Sequence, residues 1–357
     1  MSTKNKKSET VTNDGANEFF ANATVPAMES FVFMEKAVQI LEIGFATEKN
    51  IVLYGPGGHG KSELTEAFFA EKGIKPYVIT MGTGMTTDRL FGGLDIPTFN
   101  NTGKIEYLVE NSFMNQEYVV FEEMFDAPDF ILEQLKDILS SGIFRNGTQT
   151  FAIKTKFIVC CTNRTRDEFS KNMSLKALME RFPLELNVIW DNYTDIAYNR
   201  LLEQRFGEGQ IDPIIPYVLQ EFAKNGITIS PRVAIAAYDV FDQFGPEALA
   251  YIAEFAKKPT LISTSLKKFE AQNKLRSLGG LLFDHYNKLD AMSLDSREEI
   301  DEYTVAYNEY KDMLETLKGL SVSDDLIETH TKVLKEHQGI DKTLGKKLMI
   351  ANTMSEE

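Results

Sequence analysis

Thiols are almost missing from this chain of 357 residues: the two cysteines, Cys160 and Cys161, stand side by side inside an apolar run. Neighbours on a strand point to opposite faces, so a disulfide between them is disfavoured. Neither a disulfide framework nor metal-ligand spacing remains, which suits a reducing, cytoplasmic setting. Positive charge is also in deficit, with 38 Lys and Arg against 53 Asp and Glu and a net charge of −15. Such a chain repels nucleic acid and anionic membranes on average, so nucleic acid is a disfavoured partner unless a local basic patch exists. No run is long and apolar enough to span a bilayer. The opening MSTKNKKSETVTNDGANEFF has lysines but no apolar stretch behind them, so it does not read as a secretory signal. Residues 1–25 are expected to form a disordered tail. Internal repeats and low-complexity tracts are lacking too.

What the chain does have is a hydrophobic fraction of 43%, enough for a buried core. Helical spacing of apolar residues over Pro26 to Glu48 predicts a helix that leads into a short buried strand, Ile51 to Tyr54. A glycine-rich turn, Gly55 to Gly60, and a helix, Ser62 to Glu71, follow. Further strands are predicted over Tyr77 to Met81, Glu117 to Phe121, Thr155 to Cys161 and Pro183 to Val188. Helices are predicted over Pro128 to Ser140 and Ser174 to Glu180. Gly82 to Gly103 is rich in Gly, Thr, Asn and Asp and reads largely as loop. Asn146-Gly147 between extended segments reads as a β-hairpin turn. Strands alternating with helices argue for a mostly parallel α/β sheet. After Asp191 the pattern is almost wholly helical. Pro213 to Asn225 and Pro231 to Phe244 are amphipathic, and two long helices are implied from Thr264 onward.

Gly55-Pro56-Gly57-Gly58-His59-Gly60-Lys61-Ser62 fits the phosphate-binding pattern G-x-x-x-x-G-K-[ST] without a mismatch. Glycines let backbone N–H groups curl around phosphate oxygens. Lys61 brings a positive charge to the β- and γ-phosphates, and Ser62 offers a hydroxyl to Mg²⁺. The helix that follows aims its N-terminal dipole at the anion, and its Glu63 is counted with the nucleotide contacts. His59 occupies a variable position of the loop, and its side chain is expected to face solvent. Tyr118 to Phe121 then ends in two carboxylates, Glu122 and Glu123, at the carboxyl end of a strand where α/β folds bind ligands. In such pairs the first acid helps to hold Mg²⁺ and the second polarises the attacking water. The first position is usually Asp; Glu122 is one methylene longer.

With these motifs the chain resembles the AAA+ superfamily and, within it, the MoxR-like ATPases, over about Phe31 to Phe241. Thr87-Asp88-Arg89-Leu90-Phe91-Gly92-Gly93-Leu94-Asp95 and Thr102-Gly103-Lys104-Ile105-Glu106-Tyr107 are similar to the segment after the second strand and to the short insert of that clade. Where the family usually has Asp-Glu-Ile-Asn-Arg-Ala, this chain has Glu-Glu-Met-Phe-Asp-Ala, residues 122–127. Gly142 to Thr150 resembles the hairpin before sensor 1. Phe157 to Asn163 resembles the sensor 1 strand, which makes Asn163 the residue that orients water or reads the γ-phosphate. Leu178 to Pro183 resembles the Arg-Phe motif, which makes Arg181 the arginine finger, with Arg164 and Arg166 as rivals. Ile229 to Val233 resembles the start of the sensor 2 helix, with Arg232 pointing at phosphate.

The resemblance implies an AAA+ α/β nucleotide-binding domain over 26–192, with a parallel sheet flanked by helices. A helical lid over 193–262 and a C-terminal helical extension over 263–357 would follow. It implies ATP and Mg²⁺ as ligands, a homo-oligomeric ring, commonly a hexamer, and a protein client, often with a von Willebrand factor A-domain partner. A nucleic-acid motor or restriction-type translocase shares several of these motifs, but the charge balance and the sparse basic content of the hairpin, where Arg145 stands nearly alone, argue against it. A nucleotide-gated interaction module with little turnover stays open because Glu122 replaces Asp. The stripe Leu275, Leu278, Leu281, Leu282, Tyr286 and Leu289 fits either a helical hairpin packed on the lid or a partner-docking element.

Overall fold

Four-residue to six-residue runs of β-branched and aromatic side chains set the spine of the molecule. A computed structural model describes residues 31–147, 149–170, 173–322 and 324–354. The tail expected over residues 1–25 and the start of the helix expected from Pro26 lie outside the described residues. Nine strands are found among them. They are β1 (Ile51–Tyr54), β2 (Tyr77–Thr80), β3 (Gly93–Leu94), β4 (Tyr107–Leu108), β5 (Tyr118–Glu122), β6 (Ile143–Asn146), β7 (Gln149–Ala152), β8 (Phe157–Thr162) and β9 (Leu184–Asn187). Five of them form one sheet in the order β2-β5-β8-β1-β9, with every neighbouring pair parallel. The helices Glu35–Thr47, Lys61–Glu71 and Asp129–Ser141 alternate with these strands. This is the α/β architecture with a parallel sheet that the alternation predicts.

A parallel sheet covered on both sides needs apolar residues on both faces. The strands supply them alternately. Val52, Phe121, Ile158 and Cys160 belong to one buried cluster, and Leu53, Val120, Val159 and Cys161 to the other. The two cysteines therefore face opposite sides and are free thiols, as strand geometry requires. The hairpin forms as expected: β6 and β7 pair antiparallel, with Arg145 opposite Thr150, while Thr148 lies outside the described residues.

Gly82 to Gly103 is less of a loop than its composition suggests. It holds the helices Thr87–Phe91 and Ile96–Thr102 around β3. Local capping explains this. The Asp95 carboxylate accepts from the Thr98 N–H at 3.1 Å, and Pro97 sits in the first turn, where its missing N–H costs nothing. Gly92 has φ +98°, and a Cβ there would sit 2.1 Å from the Leu108 carbonyl oxygen, so only glycine lets β3 approach β4.

By internal packing the chain divides into two compact units. Among the described residues, one comprises 31–211 and 229–236, the other 212–228 and 237–354. In the second unit three long helices stand where two were expected: Pro259–Ala291, Arg297–Lys318 and Ile327–Met354. The break that separates the first two is written locally. Lys347 donates to the carbonyls of Leu289, Asp290 and Met292 at the end of the first helix, and Ser296 with Glu299 makes a capping box that starts the next. Leu275, Leu282 and Leu289, seven residues apart, are buried against Tyr303, Tyr310, Leu314 and Leu344 of the two partner helices. The apolar stripe is thus consumed within the bundle. Leu278 and Tyr286 pack at its margin, whereas Leu281, assigned to the same stripe by spacing, is 47% exposed. The seven-residue repeat, not the full set of apolar positions, defines the seam. Truncating Leu282 to Ala should therefore destabilise the protein by about 2–5 kcal/mol, and Leu281→Ala by about 0.5 kcal/mol or less, in denaturant titrations of the two variants.

Candidate functional site

All four sheet strands that contribute to the site end at one edge. Thr80 closes β2, Glu122 closes β5, Thr162 closes β8, and Tyr54 of β1 hands the chain to Gly55. Their pairing is in register, Thr80 beside Glu122, Glu122 beside Cys161, and Tyr54 beside Thr162. Side chains from four remote parts of the sequence therefore meet at the carboxyl edge. At that edge Gly57, Gly58, Gly60, Lys61, Ser62, Glu63, Thr80, Glu122, Glu123, Cys161, Asn163 and Arg232 line a cavity of about 150 Å³.

The loop after β1 has glycine where backbone geometry demands it. Gly55 has φ +137°, and a Cβ there would lie 2.4 Å from the Val188 carbonyl oxygen. Gly60 adopts the left-handed conformation and opens the helix Lys61–Glu71. Lys61 is 6% exposed, and its ammonium donates to Gly55 O at 2.8 Å, Pro56 O at 2.8 Å and Asn163 Oδ1 at 2.9 Å. All three ammonium protons thus have protein acceptors. Burial lowers the Lys61 pKa, while the neighbouring Cys161 and Glu123 act in the opposite sense. Gly55 and Pro56 serve through their carbonyls and do not line the cavity.

The two carboxylates differ in their restraints. Glu122 Oε2 accepts from the Thr80 hydroxyl at 2.7 Å. Glu123 sits in a left-handed backbone conformation, φ 49°, and its Oε2 accepts from the Asn163 N–H at 3.1 Å and from the Thr162 hydroxyl at 3.3 Å. Asn163 therefore touches Lys61 with its side chain and Glu123 with its backbone. Cys161, beneath them, is pushed up to about 12 by burial and stays a neutral thiol at ordinary pH. Glu66 is raised by burial, then by Glu122 and Glu63, so the acidic density on this side of the cavity is felt beyond the two strand-end residues. Such a cavity, with a buried ammonium, a serine hydroxyl, two oriented carboxylates and glycine N–H groups, has the chemistry to hold a polyphosphate with a divalent cation.

Arg232 joins this cavity through the start of the helix Pro231–Phe244, and its backbone N–H donates to Gly58 O at 3.2 Å. Arg181 does not line it. Its guanidinium donates to the Ser140 hydroxyl at 2.8 Å and the Ala177 carbonyl at 3.3 Å, and pairs with Glu180 at 3.0 Å. Its rivals are also engaged elsewhere, Arg164 with Asp126 at 2.7 Å and Arg166 with Glu185.

His59 departs from expectation. It is buried, 6% exposed, and its Nδ1 accepts from the Trp190 N–H at 2.9 Å. The segment after β9 passes close to the loop and takes the place of solvent. Thr80, Thr162 and Trp190 are the site partners that the motifs do not name. Each is found only through strand register or chain return.

A family model described as the MoxR domain in the MoxR-vWA-beta-propeller ternary systems matches residues 20–210. Among solved structures, a mutant of Thermotoga maritima RuvB is 14% identical, with 71% of this chain and 78% of that chain covered and a TM-score of 0.42. Brucella abortus NtrX in complex with ATP is 14% identical, with 79% and 68% covered and a TM-score of 0.45.

The burial of His59 generates a pH test. Burial, and then the charge of Lys61, hold its imidazole below the ordinary value of 6.5. The unfolded chain then binds the proton more readily than the folded one. The stability that the neutral ring contributes is present in full above 6.5 and is lost as the pH falls from there toward the depressed value. Asn at this position keeps an acceptor and does not titrate. The melting temperature of the wild type should drop relative to that of His59→Asn as thermal melts are run at successively lower pH through this window. Parallel curves would show that the ring binds its proton equally well in the folded and unfolded chains, so that burial does not depress it.

Proposed function

The chain belongs to the MoxR family of AAA+ ATPases, and from that premise we propose that it hydrolyses ATP in a ring-shaped homo-oligomer, a hexamer, to remodel or activate a protein client. A von Willebrand factor A-domain protein is the proposed partner, in keeping with the systems after which the matched domain is named. The observation that supports this best is the meeting of Lys61, Ser62, Glu122, Glu123, Asn163 and Arg232 in one cavity at the carboxyl edge of the sheet. The proposed division of labour keeps 26–192 as the nucleotide-binding domain, 193–262 as the lid and 263–357 as an extension. A cytoplasmic setting is part of the same reading; among the described residues no helix is long and apolar enough to cross a membrane.

On this reading Lys61 turns its ammonium from the Gly55 and Pro56 carbonyls to the β- and γ-phosphates. The N–H groups of Gly57 to Gly60 cradle the same oxygens. The oxygen donors Ser62 and Glu122 fit a hard divalent cation, and Mg²⁺ held there would neutralise charge on the phosphates. Glu122 is longer than the usual Asp, but its hydrogen bond from Thr80 fixes where the carboxylate ends. Glu123, which accepts from Asn163 and Thr162, would take the proton of an attacking water. Arg232 adds positive charge to the phosphates. Arg181, which does not line the cavity of its own subunit, is read as the finger that serves a neighbour's site, and this gives the ring its catalytic purpose.

Two experiments test the proposal. Glu123→Gln should bind ATP yet turn it over about two to four decades more slowly, whereas Glu122→Gln should raise the Mg²⁺ requirement. Phosphate release measured across a Mg²⁺ titration separates the two, and the reverse pattern would exchange their roles. Arg181→Ala and Lys61→Ala should each be inactive alone, since a finger is worth about three to five decades in rate. Mixed, they should regain part of the hydrolysis, because one interface then pairs an intact loop with an intact finger. If sizing shows mixed rings and activity stays at background, Arg181 is not the finger.

A further inference from the structure

Two adjacent residues of the glycine-rich loop are held from outside it, and the two holders are joined to each other. The Gly58 carbonyl accepts from the Arg232 N–H at 3.2 Å, and the His59 Nδ1 accepts from the Trp190 N–H at 2.9 Å. Trp190 packs its ring on Tyr198, with centroids 5.1 Å apart. The Tyr198 hydroxyl donates to the Ile229 carbonyl at 2.8 Å, three residues before Arg232. Trp190, Tyr198 and Ile229 are all fully or almost fully buried. The contacts therefore close a circuit that runs from His59 through Trp190, Tyr198, Ile229 and Arg232 back to Gly58.

The circuit is tight at both ends. A Cβ on Gly58 would lie 2.9 Å from the Ser230 hydroxyl and 3.2 Å from the Arg232 Cβ, so the segment Ser230–Arg232 leaves no slack above the loop. At the other end the bond from Trp190 fixes the imidazole as the tautomer with its proton on Nε2. Loop peptides must aim their N–H groups at one point to bind phosphate, so whatever narrows their conformations before binding raises affinity. Arg232 is held by the same contacts, so its approach and the shape of the loop cannot change independently.

We propose that His59 and Tyr198 are positioning residues for nucleotide binding, the two ties that make the shape of the phosphate loop and the placement of Arg232 a single event. The proposal rests on the reading of the cavity as a nucleotide site. Neither residue needs to touch the nucleotide; they act through Gly58, Arg232 and the loop backbone.

The chain contains one tryptophan, Trp190, so emission excited at the red edge of indole absorption, beyond the tyrosines, reports on the surroundings of a residue of the circuit. The test titrates the full-length protein with Mg²⁺ and the slowly hydrolysed analogue ATPγS, following tryptophan emission, with calorimetry as an independent measure of binding. Wild type should bind with a change in emission. Tyr198→Phe keeps the ring and removes one hydrogen bond; it should weaken ATPγS binding about fivefold, the worth of one such bond, and shrink the emission change. His59→Leu should do the same, and His59→Asn, whose side-chain oxygen takes the place of Nδ1, should restore affinity to within about twofold of wild type. If His59→Leu does not fold, Tyr198→Phe carries the test. Wild-type affinity and emission change in Tyr198→Phe would overturn the circuit, as would equal weakening in the Asn and Leu variants. Calorimetry that finds no binding by the wild type would overturn the reading of the cavity itself, and the proposal with it.

Discussion

The site depends first on keeping one ammonium buried. Lys61 lies in a glycine loop at the edge of the sheet, almost out of water, and its charge is tolerable only because three oxygens accept from it. Two of these belong to the loop and one to Asn163. The loop is therefore closed around its own lysine, and the lysine is pinned to the end of β8. A buried cation without such partners would cost several kcal/mol. Glycine at position 55 answers a separate requirement, because a Cβ there would strike the Val188 carbonyl as the chain passes after β9.

From that closure the rest of the edge takes its arrangement. Asn163 spends its side chain on Lys61 and its backbone N–H on Glu123, so the lysine and the second carboxylate are positioned by one residue. Glu122 is positioned separately, by Thr80 on the outer strand. The site thus spans β2, β5, β8 and the loop after β1, and a change in any of the three registers that join these strands would dissolve it. On the proposed function, nucleotide binding releases the loop carbonyls from Lys61 and offers phosphate oxygens in their place, a substitution of acceptors with little net loss of hydrogen bonds.

Much of this was legible in the sequence because it is local. The phosphate-loop pattern, the carboxylates at a strand end and the alternation of strands with helices each span only a few residues, and the parallel sheet follows from them. Partners brought in by register were not legible: nothing near Thr80 announces that it faces Glu122, forty-two positions away. His59 stands at a loop position whose pattern sets no chemistry and so reads as solvent-facing, yet the chain returns after β9 and covers it. The segment Gly82–Gly103 has the composition of a loop, although Asp95 and Pro97 mark a helix start. Spacing found the seam of the C-terminal bundle but overcounted it: Leu282 is fully buried, whereas its neighbour Leu281 is 47% exposed.

On the proposed function, Lys61 passes from its own loop to bound phosphate. A crystal structure of the protein with Mg²⁺ and a non-hydrolysable ATP analogue tests it most directly. In that complex the Lys61 ammonium should leave the carbonyls of Gly55 and Pro56 and lie within hydrogen-bond distance of the β- and γ-phosphate oxygens, with Ser62 and Glu122 beside the metal. A complex in which the analogue binds and Lys61 still donates to both carbonyls would contradict it.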